Sequence, residues 1–161
     1  MSRSVSSINE NLLLAKLREM REFGGEISTV GLTDEVIERF AAGHRDLVTA
    51  IERAYVAFTD LKQRRPDFLA LDEQEQVEKA QAGFTNFYDV KAVNPYVAAA
   101  GAGPWVVTLK GAVVYDCGGY GMLGLGHAPE AVLDAMVRPH VMANVMTASV
   151  SQMDFIACLE R

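Results

Sequence analysis

The sequence predicts an α/β fold in which a helical extension comes first and a short antiparallel β-hairpin and further helices follow. Three observations point there. Apolar residues recur at helical spacing through residues 1–90, two β-rich runs flank Lys110-Gly111, and five glycines between Gly118 and Gly126 lead into a proline-containing helix start. At 161 residues, half of them apolar and 22% charged, the chain has the composition of a globular protein with its own core.

Charge is unevenly spread. Of the 36 Asp, Glu, Lys and Arg residues, 27 fall in residues 1–90, so that part reads as helices with solvated faces. Residues 91–161 read as material that something else covers. The net charge of −6 and the single short basic cluster, Lys62-Gln-Arg-Arg65, argue against nucleic acid as a partner. The cluster precedes Pro66 and complements a helix C-terminus. No segment approaches the ~20 apolar residues of a membrane span, and no apolar leader segment is visible, so a cytoplasmic location is expected. Cys117 and Cys158 form no CxxC pair and have no ligand-spaced histidine; they read as two reduced, half-buried thiols.

Ile8, Leu12, Leu13, Leu17 and Met20 mark a first helix that Gly24-Gly25 stops. Thr33 is an N-cap candidate, with Asp34 and Glu35 in the first turn of a helix running to about Arg65. Its apolar stripe is Val36, Ile37, Phe40, Leu47, Ile51, Tyr55, Phe58 and Leu61, and Gly43 marks a break. Asp72 and Glu75 resemble a capping box for a shorter helix reaching about Ala82. Asn94-Pro95 breaks the chain, and Ala98–Gly103 reads as a small-residue linker. Trp105–Leu109 and Ala112–Asp116 form the hairpin around Lys110-Gly111. Pro129 opens a helix to Met136, Pro139 ends it, residues 140–146 read as irregular or extended, and Ser149 or Ser151 caps a last helix.

Gly119-Tyr-Gly-Met-Leu-Gly124 matches GxGxxG. A dinucleotide site also needs a helix opening within the motif and an acid about 20 residues on, at the end of a second strand. Here the helix starts near Pro129, and that acid is missing. His127 has no orienting acid at a recognisable spacing, so it reads as a structural histidine. His44 reads as a surface or interface histidine, Cys117 as packing, and the methionines as adaptable apolar filler on a surface that meets a partner. No group of residues has metal-ligand spacing.

The order of the second half nevertheless resembles the N-terminal part of the class III aminotransferases, pyridoxal-phosphate enzymes of fold type I. The resemblance is carried by Gly101-Ala-Gly-Pro-Trp-Val-Val107, Lys110-Gly111, Val113-Val-Tyr-Asp116, Gly118–His127 and Pro129–Met136, over roughly residues 95–161. The Asp-Cys-Gly-Gly-aromatic-Gly wording is most similar to the putrescine aminotransferase branch. Relatives commonly carry Asn where this chain has Gly124, and His-x-His-Pro where it has His127-Ala-Pro129.

The resemblance implies a helical N-terminal extension (1–90) and the first segment of the aminotransferase small domain (91–161). The implied activity is transfer of an amino group between an amine or amino acid and a 2-oxo acid, by a homodimer that uses pyridoxal 5'-phosphate. It implies substrate-pocket positions at Tyr120, Gly121 and Met122, and at Thr147 and Ser149 in a stretch that reaches across the dimer. The aldimine lysine and the phosphate-binding turn belong downstream of the matched region, so neither Lys91 nor Lys110 is the aldimine lysine, and residues 1–161 alone are expected to be inactive. A non-catalytic helical module for protein interaction is the alternative.

Overall fold

The computed structural model describes residues 3–83, 95–117, 124–138 and 150–160. Helices α1 (Arg3–Glu22), α2 (Asp34–Ala41), α3 (Arg45–Arg64), α4 (Pro66–Leu69) and α5 (Glu73–Gln81) precede strands β1 (Ala98–Ala102), β2 (Trp105–Thr108) and β3 (Val113–Tyr115). Helices α6 (Glu130–Met136) and α7 (Val150–Leu159) follow. The fold is therefore mixed α and β, with a small antiparallel sheet of order β1-β2-β3. The chain divides into two compact units, Met1–Pro129 and Glu130–Arg161. The boundary expected at residue 90 falls among residues 84–94, outside the described ones.

In the first unit the helices and the sheet share one core. Leu13, Leu14, Leu17 and Met20 of α1 meet Leu47, Ile51 and Phe58 of α3, and Trp105, Val107 and Val113 close the sheet side. Leu12 is more than half exposed, so Leu14 takes its place in the buried stripe. Thr33 caps α2, its Oγ1 accepting from Val36 N at 3.4 Å. The long helix expected from residue 34 to 65 is broken at 42–44, beside Gly43, into α2 and α3. Polar pairs seam α1 to its neighbours. Lys16 pairs with Glu52, and Glu19 accepts from Tyr55 Oη at 2.5 Å and from Lys62 Nζ at 2.9 Å. Asp34 accepts from Arg21 at 2.6 Å and from Arg18 at 3.1 Å.

Ala98–Ala102, expected as a linker, is strand β1. Its alanines and glycine let the strand lie against α3, where Ala50 and Ala54 are fully buried, so small residues face small residues. Burial and pairing with β2 override the low β-propensity of alanine. The hairpin at Lys110-Gly111 forms as expected, with Thr108 N donating to Ala112 O at 2.9 Å.

Lys110 at that hairpin is 1% exposed. Its ammonium donates to the carbonyls of Gly24, Leu71 and, at 3.3 Å, Leu69. Three donors meet three acceptors from two other loops. Gly25, with φ +69°, leaves the room for this, because a Cβ there would stand 2.1 Å from Leu71 O and 2.6 Å from Nζ. Burial pushes the Lys110 amine below the ordinary lysine value, and the charges of Asp72 and Glu73 draw it partly back.

The expected capping box at Asp72 is replaced by a different contact. Asp72 Oδ1 accepts from Glu26 N at 2.7 Å, and the buried Glu73 accepts through Oε2 from Ser28 N, Ser28 Oγ and Thr29 N at 2.9, 3.0 and 2.7 Å. The acids at the α5 N-terminus thus fasten the 26–29 loop while matching the helix dipole.

In the second unit α6 buries none of its residues. Val132, Leu133, Met136 and Val137 are exposed, as are Val150, Met153, Phe155, Ile156 and Leu159 of α7. Cys117 and Cys158 are free and exposed rather than half-buried. No helix among the described residues is long and apolar enough to cross a membrane.

Lys110→Met retains the aliphatic bulk but removes three donors from buried carbonyls, and is expected to cost about 3 kcal/mol in urea unfolding. Because the folded-state lysine value is lowered, the unfolded chain binds more protons between that value and 10.5. The native stability advantage over Lys110→Met should therefore grow as pH rises through this window. An advantage that shrank would contradict the depressed value.

Candidate functional site

The chemistry-bearing residues of the first unit gather where the glycine run leaves the sheet and returns to it. At the exit, Asp116 N donates to Pro104 O at 2.8 Å just past β3. At the return, His127 N donates to Gly103 O at 2.7 Å and Gly103 N to His127 O at 3.2 Å, an isolated antiparallel bridge beyond the end of β1. The two ends are then joined by side chains, with His127 Nε2 standing 2.9 Å from Asp116 Oδ2 and both groups one-third exposed. An ionised carboxylate only accepts, so Nε2 carries the proton and Nδ1 is left for other contacts.

His127 thus has the orienting acid that its sequence neighbourhood lacked. Asp116 lies eleven positions upstream and is brought to it by the backbone bridge. The available signal was a β-strand ending in an acid, followed by a glycine run that returns at a histidine; the pairing itself depends on the bridge at Gly103.

Close backbone approach sets the collar. Gly126 has φ +74°, and a Cβ on it would stand 2.7 Å from Gly103 Cα. Behind Gly103 lies Asp46 of α3, whose Oδ2 would be 2.5 Å from a Cβ at that glycine. Ala128, directly after His127, has φ +47°, a left-handed conformation that is strained for alanine. Around the pair is a cleft of about 270 Å³, with Pro104 and Leu125 as apolar walls and Cys117 at its margin. The Cys117 thiol contacts Tyr115 O at 3.8 Å, a weak hydrogen bond. The Tyr96 phenol is pushed above its usual value, first by burial and then by the charge of Asp116.

Tyr120, Gly121, Met122, Thr147 and Ser149, the expected substrate-pocket positions, lie outside the described residues, as does most of the GxGxxG match. Helix α6 opens at Glu130, after the glycine run, so its start offers no support for a nucleotide site within the motif. The His44 ring lies tilted against Phe40 and edge-on to Trp105 at centroid distances of 5.2 and 5.9 Å, a packing contact. Among the described residues no group of three or more His, Cys, Asp or Glu is placed to hold a metal ion.

The described residues do not form a pyridoxal-phosphate site either. Such a site needs a lysine amine free to bond the cofactor. Lys16 and Lys62 are ion-paired, the Lys110 amine is held by three carbonyls, and Lys79 is an exposed residue in the last turn of α5. No lysine lines the cleft at Asp116 among the described residues.

Asp116→Asn and His127→Gln, singly and together, should give a coupling energy of about 0.5–1 kcal/mol at neutral pH, the range for a partly exposed pair. A coupling indistinguishable from zero would mean that the contact holds nothing. Gly126→Ala should lower stability by about 2 kcal/mol or more through the clash with Gly103 and its positive φ. Ala128→Gly should raise stability by up to about 1 kcal/mol by relieving strain. Thermal unfolding reads both.

Compared with known proteins, the chain matches no family model, no curated protein and no solved structure.

Proposed function

We propose that the chain is the N-terminal portion of a pyridoxal-phosphate-dependent class III transaminase, a fold type I enzyme that moves an amino group between an amine or amino acid and a 2-oxo acid. In this reading the first unit supplies the substrate-side bend, and the cofactor machinery lies in sequence beyond Arg161. The observation that carries it is the bend itself. A hydrophobic strand, a glycine turn, a second strand with Asp116 just past its end, a glycine run and a Gly-His return at His127 follow one another in the order of the resemblance. The return is fastened to the sheet at Gly103 and His127 meets Asp116, which supports reading the described pieces together.

The second unit agrees with this reading. The described residues of the second unit expose nine large apolar side chains, eight of them on α6 and α7, far more than a short surface segment leaves bare when no partner covers it. Homodimer formation and a helical extension that packs within the enzyme are parts of the same proposal. The chain's own residues bind and orient in this scheme; none of those described performs bond chemistry.

The closed core of the first unit, with the buried Lys110 held by carbonyls, favours a second reading, a non-catalytic interaction module that folds alone. The two separate cleanly. A chain extended past Arg161 through a lysine-bearing domain should develop an aldimine absorption band with pyridoxal phosphate, while residues 1–161 should stay colourless. A folded, extended chain that remained colourless would sink the transaminase reading and leave the module.

A further inference from the structure

We infer that the groove bordered by strand β1 and helices α3, α4 and α5 binds a medium-chain aliphatic carboxylate, an anion with neither an amino nor an oxo group. The groove shares no residue with the cleft at Asp116, and all its lining residues belong to the first unit. It therefore stands or falls apart from the reading above.

Side-chain size makes the space. The first residues of β1 are alanines, which line the groove with methyl groups only, and a volume of about 610 Å³ stays open beside them. Small-molecule sites occupy about 300–1,000 Å³, so the groove has the size of one. Leu61 of α3, Phe68 of α4 and Val97 are half-buried walls that pack on the core, and Leu109 is a buried one. These walls are apolar and backed by packed side chains, which suits an aliphatic chain laid along them.

Charge selects the occupant. Arg65, where α3 meets α4, and Lys79, in the last turn of α5, line the groove as exposed side chains. No Asp or Glu lines it among the described residues. Elsewhere in the first unit Lys16, Arg18, Arg21, Lys62 and Arg64 each pair with a carboxylate, and the Lys110 amine is held by carbonyls. Arg65 and Lys79 make no ion pair and no side-chain hydrogen bond among the described residues. In a chain of net charge −6, two unpaired cations at one apolar groove create a local preference for an anion. An ammonium ligand meets like charge there, and a neutral one leaves both donors unused. A carboxylate can take the planar fork of an arginine or the point charge of a lysine while its chain covers the apolar walls.

The test is an NMR titration of residues 1–161 that follows the backbone amides of Leu61, Val97, Ala99 and Leu109, with octanoate, octanol and octylammonium as probes of one length and three charges. Octanoate should give saturable shifts at these amides with a dissociation constant on the order of 0.1–1 mM. Octanol should bind more weakly, and octylammonium should not saturate. Arg65→Gln combined with Lys79→Gln should weaken octanoate about fivefold and leave octanol unchanged, since exposed charges contribute modestly. Added salt should weaken octanoate in the parent chain but not in this double variant. Both residues are exposed and unpaired, so the fold should survive; if it does not, Ala80→Trp serves instead, because it fills the groove from the exposed side of α5 and should abolish octanoate binding. Equal affinity for octanoate and octanol, undiminished binding in the variants, or shifts confined to α6 and α7 would each overturn the inference. So would shifts at the groove that follow protein concentration rather than probe, which would place a second copy of the chain there.

Discussion

The ammonium of Lys110 is the contact on which the first unit's architecture depends. One residue at a hairpin turn reaches the carbonyls of Gly24, Leu69 and Leu71, and so ties the sheet to the turn after α1 and to the α4–α5 connection. Each of those carbonyls sits at an interruption of helical structure, where backbone acceptors have no intrahelical partner. A buried amine without an ion pair is costly, and it persists here because three acceptors meet its three donors. The Arg21 guanidinium adds a second tie to the same turn, donating to Gly111 O at 3.1 Å. The hairpin is thereby held against α1 at its closed end, which leaves its open end, near Trp105 and Tyr115, to build the site.

At that open end the logic changes from charge burial to backbone contact. Gly103 and Gly126 approach more closely than any side chain allows, and the bridge they permit delivers His127 to Asp116. The positive φ of Ala128 is a local cost of the same turn. Trp105 packs against Tyr115 at 4.9 Å and against Phe40 at 5.8 Å, fixing both strands behind the cleft. The cleft is therefore backed by packed aromatic rings where it meets the sheet.

Much of this was legible along the chain, and the failures have physical causes. Helical spacing placed α1 and α3 because amphipathic periodicity survives without tertiary help, the acids at Asp72 and Glu75 marked the start of α5, and Thr33, Gly43 and Pro66 marked real ends and starts. The hairpin was legible in the β-branched runs around Lys110-Gly111. Strand β1 was not, since Ala98–Ala102 has no strand propensity and is held by pairing to β2 and by the alanine face of α3. Asp72 was legible as the residue preceding α5, but not its contact, because Glu26 arrives from 46 residues away. The pairing of Asp116 with His127 was hidden for a similar reason. Each residue looked unpartnered while its neighbours along the chain were the only ones in view.

By itself, then, the sequence determined the helices, the hairpin, the acidic balance and the concentration of glycine before His127, all of which rest on local periodicity, turn chemistry and composition. Tertiary structure alone decided that a lysine in a turn is buried on carbonyls, that a small-residue stretch is a strand, and that a histidine and an aspartate form one oriented pair. Those outcomes depend on which backbone groups meet across long loops. Such meetings are set by close packing at glycine and alanine positions, and no local pattern records them.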